Sequence, residues 1–375
     1  MSTISRWVLP CYHTDSEFST EPITIDLTDN LNLILSNEVW NRKFEYGFTG
    51  GLKNTDIKDI KRASVIIFPR FISGMVNENR IQELIEKHCG KLPEYLKVGN
   101  YKNWSHNIGF SVIEVEYKKP LKTIPIKKDF DGYVPNWNEE FLHTYHKHFA
   151  VLKELKFFFL AGLHLSFPTT SIVIRDDSSI NDGFFQISSG KRKYATSKAS
   201  SSFMHEVLIE KNKLKNLIGN LNGLATKWHF NLWPIKRYLT AVESYQISMD
   251  NLLDLLYSLE GLFSKNTSSD FIKMTCVLNI ASNKKDAKVL KEILDVGFKI
   301  RNDIAHGERS YDLYDKVKIG GKEKLAQDIY WKIKVIVAQM IILATSKLMT
   351  NPEMRNLKFN DDDFLELIYK NKPRN

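Results

Sequence analysis

The hydrophobic pattern of this chain changes its period near residue 190, and this change restricts the folds that the chain can adopt. From about residue 20 to 190, apolar residues mostly alternate with polar ones, which is typical of strands that bury one face. After that point apolar residues recur every three or four positions, which is typical of amphipathic helices. The sequence therefore predicts an α+β chain of two domains, in which a β-rich N-terminal domain precedes an all-α helical bundle.

Short apolar runs in the first half predict strands, and one periodic segment predicts a helix. That helix covers 78–88, because Ile81, Leu84 and Ile85 share one face and Gly90 follows as a stop signal. The predicted strands are 23–27, 31–35, 65–68, 110–117, 157–167 and 171–174.

Composition predicts where one domain ends and the next begins. Residues 190–202 are rich in Ser, Lys and Arg and almost lack apolar side chains, so we predict a linker there. The β-rich domain then covers 1–189, with a role in sensing a ligand or partner or in binding RNA. The helical bundle covers 203–350, and residues 351–375 form a C-terminal tail with a short helix.

Helical spacing in the second half predicts four to six antiparallel helices joined by short loops. Cap residues mark the starts of some of them, because short polar side chains accept hydrogen bonds from the free N–H groups of the first turn. The predicted helices cover about 204–221 and 234–262, a third capped by Ser269 or Asp270, a fourth capped by Asp286, and a last long one after Gly320-Gly321.

Charge and cysteine content limit the classes of partner and compartment. The net charge of +9 favours a polyanionic partner, since surface Lys and Arg release counterions from phosphates, although a merely solvated lysine-rich surface is the alternative. Cys11, Cys89 and Cys276 have no disulfide-framework or zinc-site spacing, so we predict a reducing, cytoplasmic setting. The apolar stretches are too short to span a bilayer, and we predict no membrane association.

A short motif ends the helix that begins near Asp286. Arg301 is followed by the polar Asn302, and His306 comes after four intervening residues. Gly307 is a natural residue to follow a helix, so His306 is expected at the helix end. An arginine with a polar neighbour and a histidine four to six positions on is the mark of the HEPN superfamily, which this segment resembles.

The resemblance is strongest to the Apea-like branch of that superfamily. This branch tends to show a Leu-Glu dipeptide late in its first helix and a glycine after the histidine, and Leu259-Glu260 and Gly307 stand in those places. The resemblance covers about residues 234–348. It implies that the bundle is of the HEPN type and that the protein acts in antiviral defence or toxin-like growth arrest.

The resemblance also implies a metal-independent endoribonuclease without a cofactor, with Arg301 and His306 as its catalytic residues. RNA carries its own nucleophile, the 2′-OH, so a histidine that moves protons and an arginine that holds the phosphate would suffice. The products would be 2′,3′-cyclic phosphate and 5′-OH ends. Asn302 would position phosphate or hold the turn, and Glu260 would orient Arg301 through an ion pair or be a solvated surface residue.

The spacing of the two catalytic residues predicts how the protein assembles. Five residues of helix turn the chain by about 500°, so Arg301 and His306 diverge by roughly 140° on an unbroken helix. They converge only if the helix frays before Gly307 or if two subunits share a site. HEPN RNases typically pair their motifs across a dimer interface, so the resemblance implies a homodimer with RNA as its substrate.

An alternative interpretation of the bundle remains open. The bundle could be a non-catalytic HEPN dimerisation or RNA-binding module, in which Arg301 and His306 are only basic caps and the N-terminal domain carries the function. Under the RNase hypothesis, an unknown trigger ligand or protein would act through that same N-terminal domain. Lys191, Arg192 and Lys193 in the linker are predicted to contact RNA, although linkers are often basic for solubility alone.

Two further patterns are discounted. His143, His146 and His148 could share a helix or strand face in pairs, but no carboxylate or cysteine completes a ligand set, so we predict no metal site. Arg6 and His13 also match an Arg–His spacing. They lie in an aromatic, proline-interrupted segment with no helical bundle around it, and we interpret them as a coincidence.

Overall fold

A computed structural model of the chain confirms the predicted α+β class. Its largest sheet has six antiparallel strands, in the spatial order 23–26, 60–67, 110–117, 3–10, 184–189 and 192–198, and shorter sheets have two strands each. The residues described are 2–10, 12–14, 22–35, 57–68, 71–72, 107–108, 110–119, 139–169, 184–189, 192–198, 207–209, 213–228, 232–243, 247–263 and 267–350.

The elements are numbered here in chain order. The strands are β1 (Thr3–Pro10), β2 (Tyr12–Thr14), β3 (Ile23–Asp26), β4 (Ile60–Ile67), β5 (Phe71–Ile72), β6 (Asn107–Ile108), β7 (Phe110–Tyr117), β8 (Phe184–Ser189), β9 (Arg192–Lys198), β10 (Val207–Ile209), β11 (Lys316–Ile319) and β12 (Lys322–Leu325). The helices are α1 (Leu31–Ile34), α2 (Glu139–Ser166), α3 (Leu214–Lys227), α4 (Leu232–Val242), α5 (Met249–Glu260), α6 (Ser269–Ile280), α7 (Lys284–Ala305) and α8 (Ala326–Thr350).

The chain divides into two compact units. The first consists of Met1–Phe159 and Ser171–Ile218, and the second of Leu160–Thr170 and Gly219–Asn375. Two of the three divisions, at 159/160 and 218/219, fall inside helices α2 and α3.

The strands predicted from alternation at 23–27, 65–68 and 110–117 are confirmed as β3, β4 and β7. The other apolar runs were assigned wrongly. Residues 31–34 form helix α1, and the run 157–167 lies almost entirely in α2. An apolar run that is buried on every side carries no period, so a strand and a buried helix look alike in sequence. Phe158, Phe159 and Leu163 are all buried in α2.

The predicted linker also differs from the structure. Residues 192–198 form β9, which pairs antiparallel with β8 and lies at one edge of the six-stranded sheet. Edge strands are often rich in Lys and polar residues because such side chains discourage pairing with other chains, and the composition then resembles that of a linker. The helix and strand predicted at 78–88 and 171–174, and the tail at 351–375, lie outside the described residues.

Arg6 has a structural role in the first unit. It lies in β1, is buried, and its Nε donates a hydrogen bond to Glu114 Oε2 at 2.8 Å. Arg62 on β4 donates to the other oxygen of the same carboxylate at 3.1 Å. A buried arginine needs such a partner. Arg6 therefore belongs to a sheet rather than to a helical motif.

In the second unit α4 packs against α5, and α7 packs against both α6 and α8. The predicted helix over 234–262 is two helices, α4 and α5, because Ser248 interrupts it in an extended conformation and its N–H donates to Asn251 Oδ1 at 2.6 Å. The predicted helix over 204–221 begins later, at Leu214, and runs on to Lys227. Ser268 and Asn283, rather than the predicted residues, cap α6 and α7.

Helix α7 lies close against α8. A Cβ atom added to Gly297 would come within 2.4 Å of Ile333 Cδ1, so the absence of a side chain allows this approach. Between the two helices the chain forms the β11–β12 hairpin, and α8 begins after it at Ala326 rather than directly after Gly320. Within the described segments, each helix is too short or too polar to cross a membrane.

One charged residue is fully enclosed in this unit. Lys334 on α8 is only 1% exposed, and its Nζ lies 5.1 Å from the centroid of the Trp331 ring. Burial lowers the pKa of Lys334 to about 8, although the charge of Glu243 acts in the opposite direction. Glu243 is itself bound to His164. The protein therefore carries a buried ammonium group at neutral pH.

We expect Lys334→Met to remove a pH dependence of stability. Because the pKa of Lys334 is lower in the folded chain than its ordinary 10.5, the unfolded chain binds more protons between the two values. The free energy of unfolding of the wild type, relative to Lys334→Met, should rise by about 2 kcal/mol from about pH 7 to about pH 10. Burial also raises the pKa values of Tyr238 and Tyr330. Both tyrosines are present in the wild type and in Lys334→Met, so they do not contribute to the difference between the two proteins.

Denaturant titrations at several pH values measure this difference. Lys332→Met is the matched control, since Lys332 is exposed on the same helix and the same charge is removed. The difference in the free energy of unfolding between Lys332→Met and the wild type should stay constant with pH. If Lys334→Met behaved like this control, the buried ammonium would not be the cause.

Candidate functional site

The ends of α5 and α7 bring the predicted motif residues together. Ser258 on α5 donates a hydrogen bond to the carbonyl of Pro234 at 2.7 Å, and Arg237 on α4 pairs with Asp254 at 2.7 Å. These contacts fix the end of α5, where Glu260 lies. Glu260 Oε2 accepts a hydrogen bond from Arg301 Nη2 at 2.9 Å. The ion pair considered for these two residues is therefore present.

The Arg301 guanidinium is held from three sides. Besides Glu260, it donates through Nη1 to Asn302 Oδ1 at 2.8 Å, and its Cζ lies 5.5 Å from the centroid of the Tyr257 ring. Its side chain is 26% exposed. The Nε atom is buried and has no acceptor among the described residues. The partly exposed side of the guanidinium keeps N–H donors of the kind that bind phosphate oxygens.

His306 lies where α7 ends. The helix is regular up to Ala305, and the backbone of His306 is still helical, at φ −93° and ψ 0°. Gly307 follows with φ +67°, a conformation that side chains disfavour and glycine adopts freely. Gly307 N donates to Ile304 O at 3.1 Å and Glu308 N to Asp303 O at 2.8 Å, the two bonds of a Schellman cap.

This cap leaves the His306 side chain exposed. Its imidazole has no hydrogen-bond or ion-pair partner in the part of the chain that the structure describes. The loop beyond it is fastened back to the helix, because Tyr311 Oη donates to Asp303 Oδ2 at 2.5 Å. Burial, and then this contact with Asp303, raise the pKa of Tyr311, so the phenol stays a donor. Arg309 stacks on the Tyr311 ring at 4.4 Å.

The end of α7 is unbroken, so the fraying before Gly307 that the sequence left open is not seen in this conformation. Since α7 does not fray before Gly307, Arg301 and His306 point in directions about 140° apart within one chain.

The residues predicted to contact RNA belong to the first unit. Arg192 and Lys193 are the first residues of β9 in the first unit. Lys191, together with the side chains of Arg192 and Lys193, lies outside the part of the chain that the structure describes.

The histidine cluster is on a helix. Residues 143–148 belong to α2, so His146 and His148 do not share a strand face. His148 is buried, stacks on Tyr117 with ring centroids 3.7 Å apart, and its Nδ1 lies 2.8 Å from Ser5 Oγ. These contacts give His148 a packing role in the first unit.

Sequence reasoning missed three residues that shape this site. Tyr257 stands three positions before Glu260, a spacing that places both on one face of α5 and could have indicated a joint contact with Arg301. Asp303 and Tyr311 fasten the loop after the cap, and no sequence signal links them, because their contact depends on the path of that loop. Comparisons with models of known protein families, with curated proteins and with solved structures find no match.

Proposed function

We propose that this protein is a metal-independent endoribonuclease of the HEPN type, with Arg301 and His306 as its catalytic residues. The observation that carries the proposal is the combination at the end of α7: a guanidinium fixed by Glu260 with an unsatisfied donor, and an exposed imidazole on a rigid helix cap. One group suits a phosphate and the other moves protons at neutral pH.

The reaction needs only groups that the chain and RNA possess. His306 would take the proton of a ribose 2′-OH, whose oxygen then attacks the adjacent phosphorus. The bond from phosphorus to the 5′-oxygen breaks, and that oxygen takes a proton from water, to which the protonated His306 returns the one it removed. Arg301 would stabilise the charge on the phosphate oxygens during the transfer. The products are a 2′,3′-cyclic phosphate and a 5′-OH.

The proposal includes a homodimer. Because the two side chains diverge on one helix, Arg301 of one subunit would act with His306 of the other. We further propose that the first unit receives a ligand or protein signal, that its basic strand β9 contacts RNA, and that the protein acts in the cytoplasm in antiviral defence or growth arrest.

Cleavage should persist in EDTA and be absent on DNA of the same sequence. The reason is that the proposed nucleophile is the ribose hydroxyl, which DNA lacks, and that no step requires a metal ion. End-labelled RNA and DNA incubated with the purified protein measure both effects. Treatment of the products with a phosphatase that does not open cyclic phosphates should leave the 3′ ends blocked.

Other outcomes point elsewhere. Activity that EDTA removes and manganese or zinc restores would contradict the proposal. A protein that binds RNA as a dimer but leaves it intact under all conditions would instead be the non-catalytic HEPN module considered from the sequence.

A further inference from the structure

One face of α7 carries a line of exposed lysines that ends at His306. Counting about 100° per residue from Lys284, Lys288 lies near 40°, Lys299 near 60°, Asn302 near 0° and His306 near 40°. All five side chains are exposed. With a rise of about 1.5 Å per residue, this lysine face extends roughly 33 Å along the helix.

The positive charge of the lysine face is neutralised only in part, although Glu292 lies beside it, near 80° on the same count. Asp295 lies on it, but this carboxylate is bound by two lysines, Lys273 at 2.8 Å and Lys291 at 2.7 Å. In the part of the chain that the structure describes, Lys284, Lys288 and Lys299 form no ion pair.

The β11–β12 hairpin widens this surface. Its turn lies beside the helix, since a Cβ atom on Gly320 would be 3.4 Å from Glu292 Oε2 of α7. The two strands contain four lysines and one glutamate, Glu323, which pairs with Lys316 at 3.0 Å. Along β11 the lysines are exposed while Val317 and Ile319 are half-buried. The hairpin thus adds positive charge next to the helix.

These lysines do not stabilise helix α7 itself. Lys284 and Lys285 lie in the first turn of α7, where the helix dipole disfavours cations, and only Asp286 opposes them there. Lys284 and Lys288 are four residues apart, a spacing at which like charges repel. A solvated lysine surface without a ligand would not favour these positions, whereas a polyanion would benefit from all of them.

We propose that the lysine face of α7 and the β11–β12 hairpin bind the phosphate backbone of single-stranded RNA and lead it to His306. The claim that the RNA is led to His306 rests on the function proposed above, but binding of RNA to this surface can be measured without cleavage. A single strand fits because the 2′-oxygen must swing into line with the scissile bond, which the regular geometry of an A-form duplex prevents. The lysines contact phosphates and therefore confer little sequence preference.

The test uses a 2′-O-methylated single-stranded oligonucleotide, which cannot be cleaved, and fluorescence anisotropy at several salt concentrations. The triple variant Lys284→Gln, Lys288→Gln, Lys299→Gln should bind at least tenfold more weakly at low salt. Its slope of log affinity against log salt should be shallower by about 2, since each lost phosphate contact removes roughly 0.7 for a single strand. The exposed positions should leave the fold unchanged, as circular dichroism can show.

A matched triple variant, Lys58→Gln, Lys215→Gln, Lys332→Gln, removes the same charge from exposed positions outside this surface. It should keep the wild-type salt slope. If the two triple variants bound RNA equally well, the proposal would be overturned, and an acidic protein partner would become the better candidate for this face. His306→Ala should still bind the oligonucleotide, so loss of cleavage there and loss of binding in the α7 variant report on separate proposals.

Discussion

Substitution of His306 by alanine is expected to lower the rate of RNA cleavage by about 10²- to 10⁴-fold, the usual contribution of a positioned acid or base. The side chain is exposed and contacts no described group, so its removal should not disturb the helix end. The Schellman cap that ends α7 uses only backbone atoms and Gly307, and it remains in the variant. Initial rates on a labelled RNA, with the free energy of unfolding of both proteins, measure the effect.

Variants of Arg301 test the same cleavage step. Arg301→Lys keeps the charge but loses the planar pair of donors, so its rate should lie between those of the wild type and Arg301→Ala. Ser310→Ala, an exposed change four residues after His306, serves as a control and should be fully active. Wild-type cleavage by His306→Ala would show that the catalytic group lies elsewhere.

The parts of the fold that the sequence predicted well are those with a clear period or a β-branched run. Strands β4 and β7 contain apolar, β-branched runs that are buried on both faces, and α7 shows a wide apolar stripe with a polar opposite face. The failures occur where burial or charge removes the period. The run 157–167 is apolar on every side, and β9 is polar because it is an edge strand, so composition alone assigned both wrongly.

The site was predictable to a similar extent. Gly307 and the spacing before it indicated a helix end at His306, because only a few residue types allow the positive φ that ends a helix in this way. Leu259-Glu260 indicated a partner helix for Arg301. The contacts of Tyr257 with Arg301 and of Tyr311 with Asp303 were not predictable, since they join parts of the chain whose separation depends on packing.

The lysine face and the arginine lie on different sides of the same helix, and this bears on the assembly. Counted from Lys284, Arg301 lies near 260°, whereas His306 lies near 40°. An RNA strand that follows the lysine face reaches His306, whereas Arg301 of that subunit meets this face only through its hydrogen bond to Asn302. The proposal that a second subunit supplies the arginine leads to a sharp test of the shared site.

Heterodimers of Arg301→Ala and His306→Ala subunits are expected to regain about half of the wild-type activity. Each parent dimer lacks one member of both sites and should be inactive. In the mixed dimer, the intact Arg301 of one chain meets the intact His306 of the other, so one of the two composite sites is complete. Coexpression with two different tags and tandem purification isolates this species, and the RNA cleavage rate per dimer is then compared with the wild type. The gain over either parent should be about 10²-fold or more, because each parent loses an essential group.

The control is a dimer with both tags in which each subunit carries His306→Ala. It passes through the same purification and should remain inactive, which excludes contaminating wild-type protein or nuclease. If Arg301 and His306 acted within one chain, every chain of the mixed dimer would lack one of the two, and no activity would return. A mixed dimer as inactive as its parents, or a fully active monomer by light scattering at nanomolar concentration, would contradict the shared site. Cleavage would then require α7 to unwind before Gly307, because the regular helix end holds the two side chains about 140° apart.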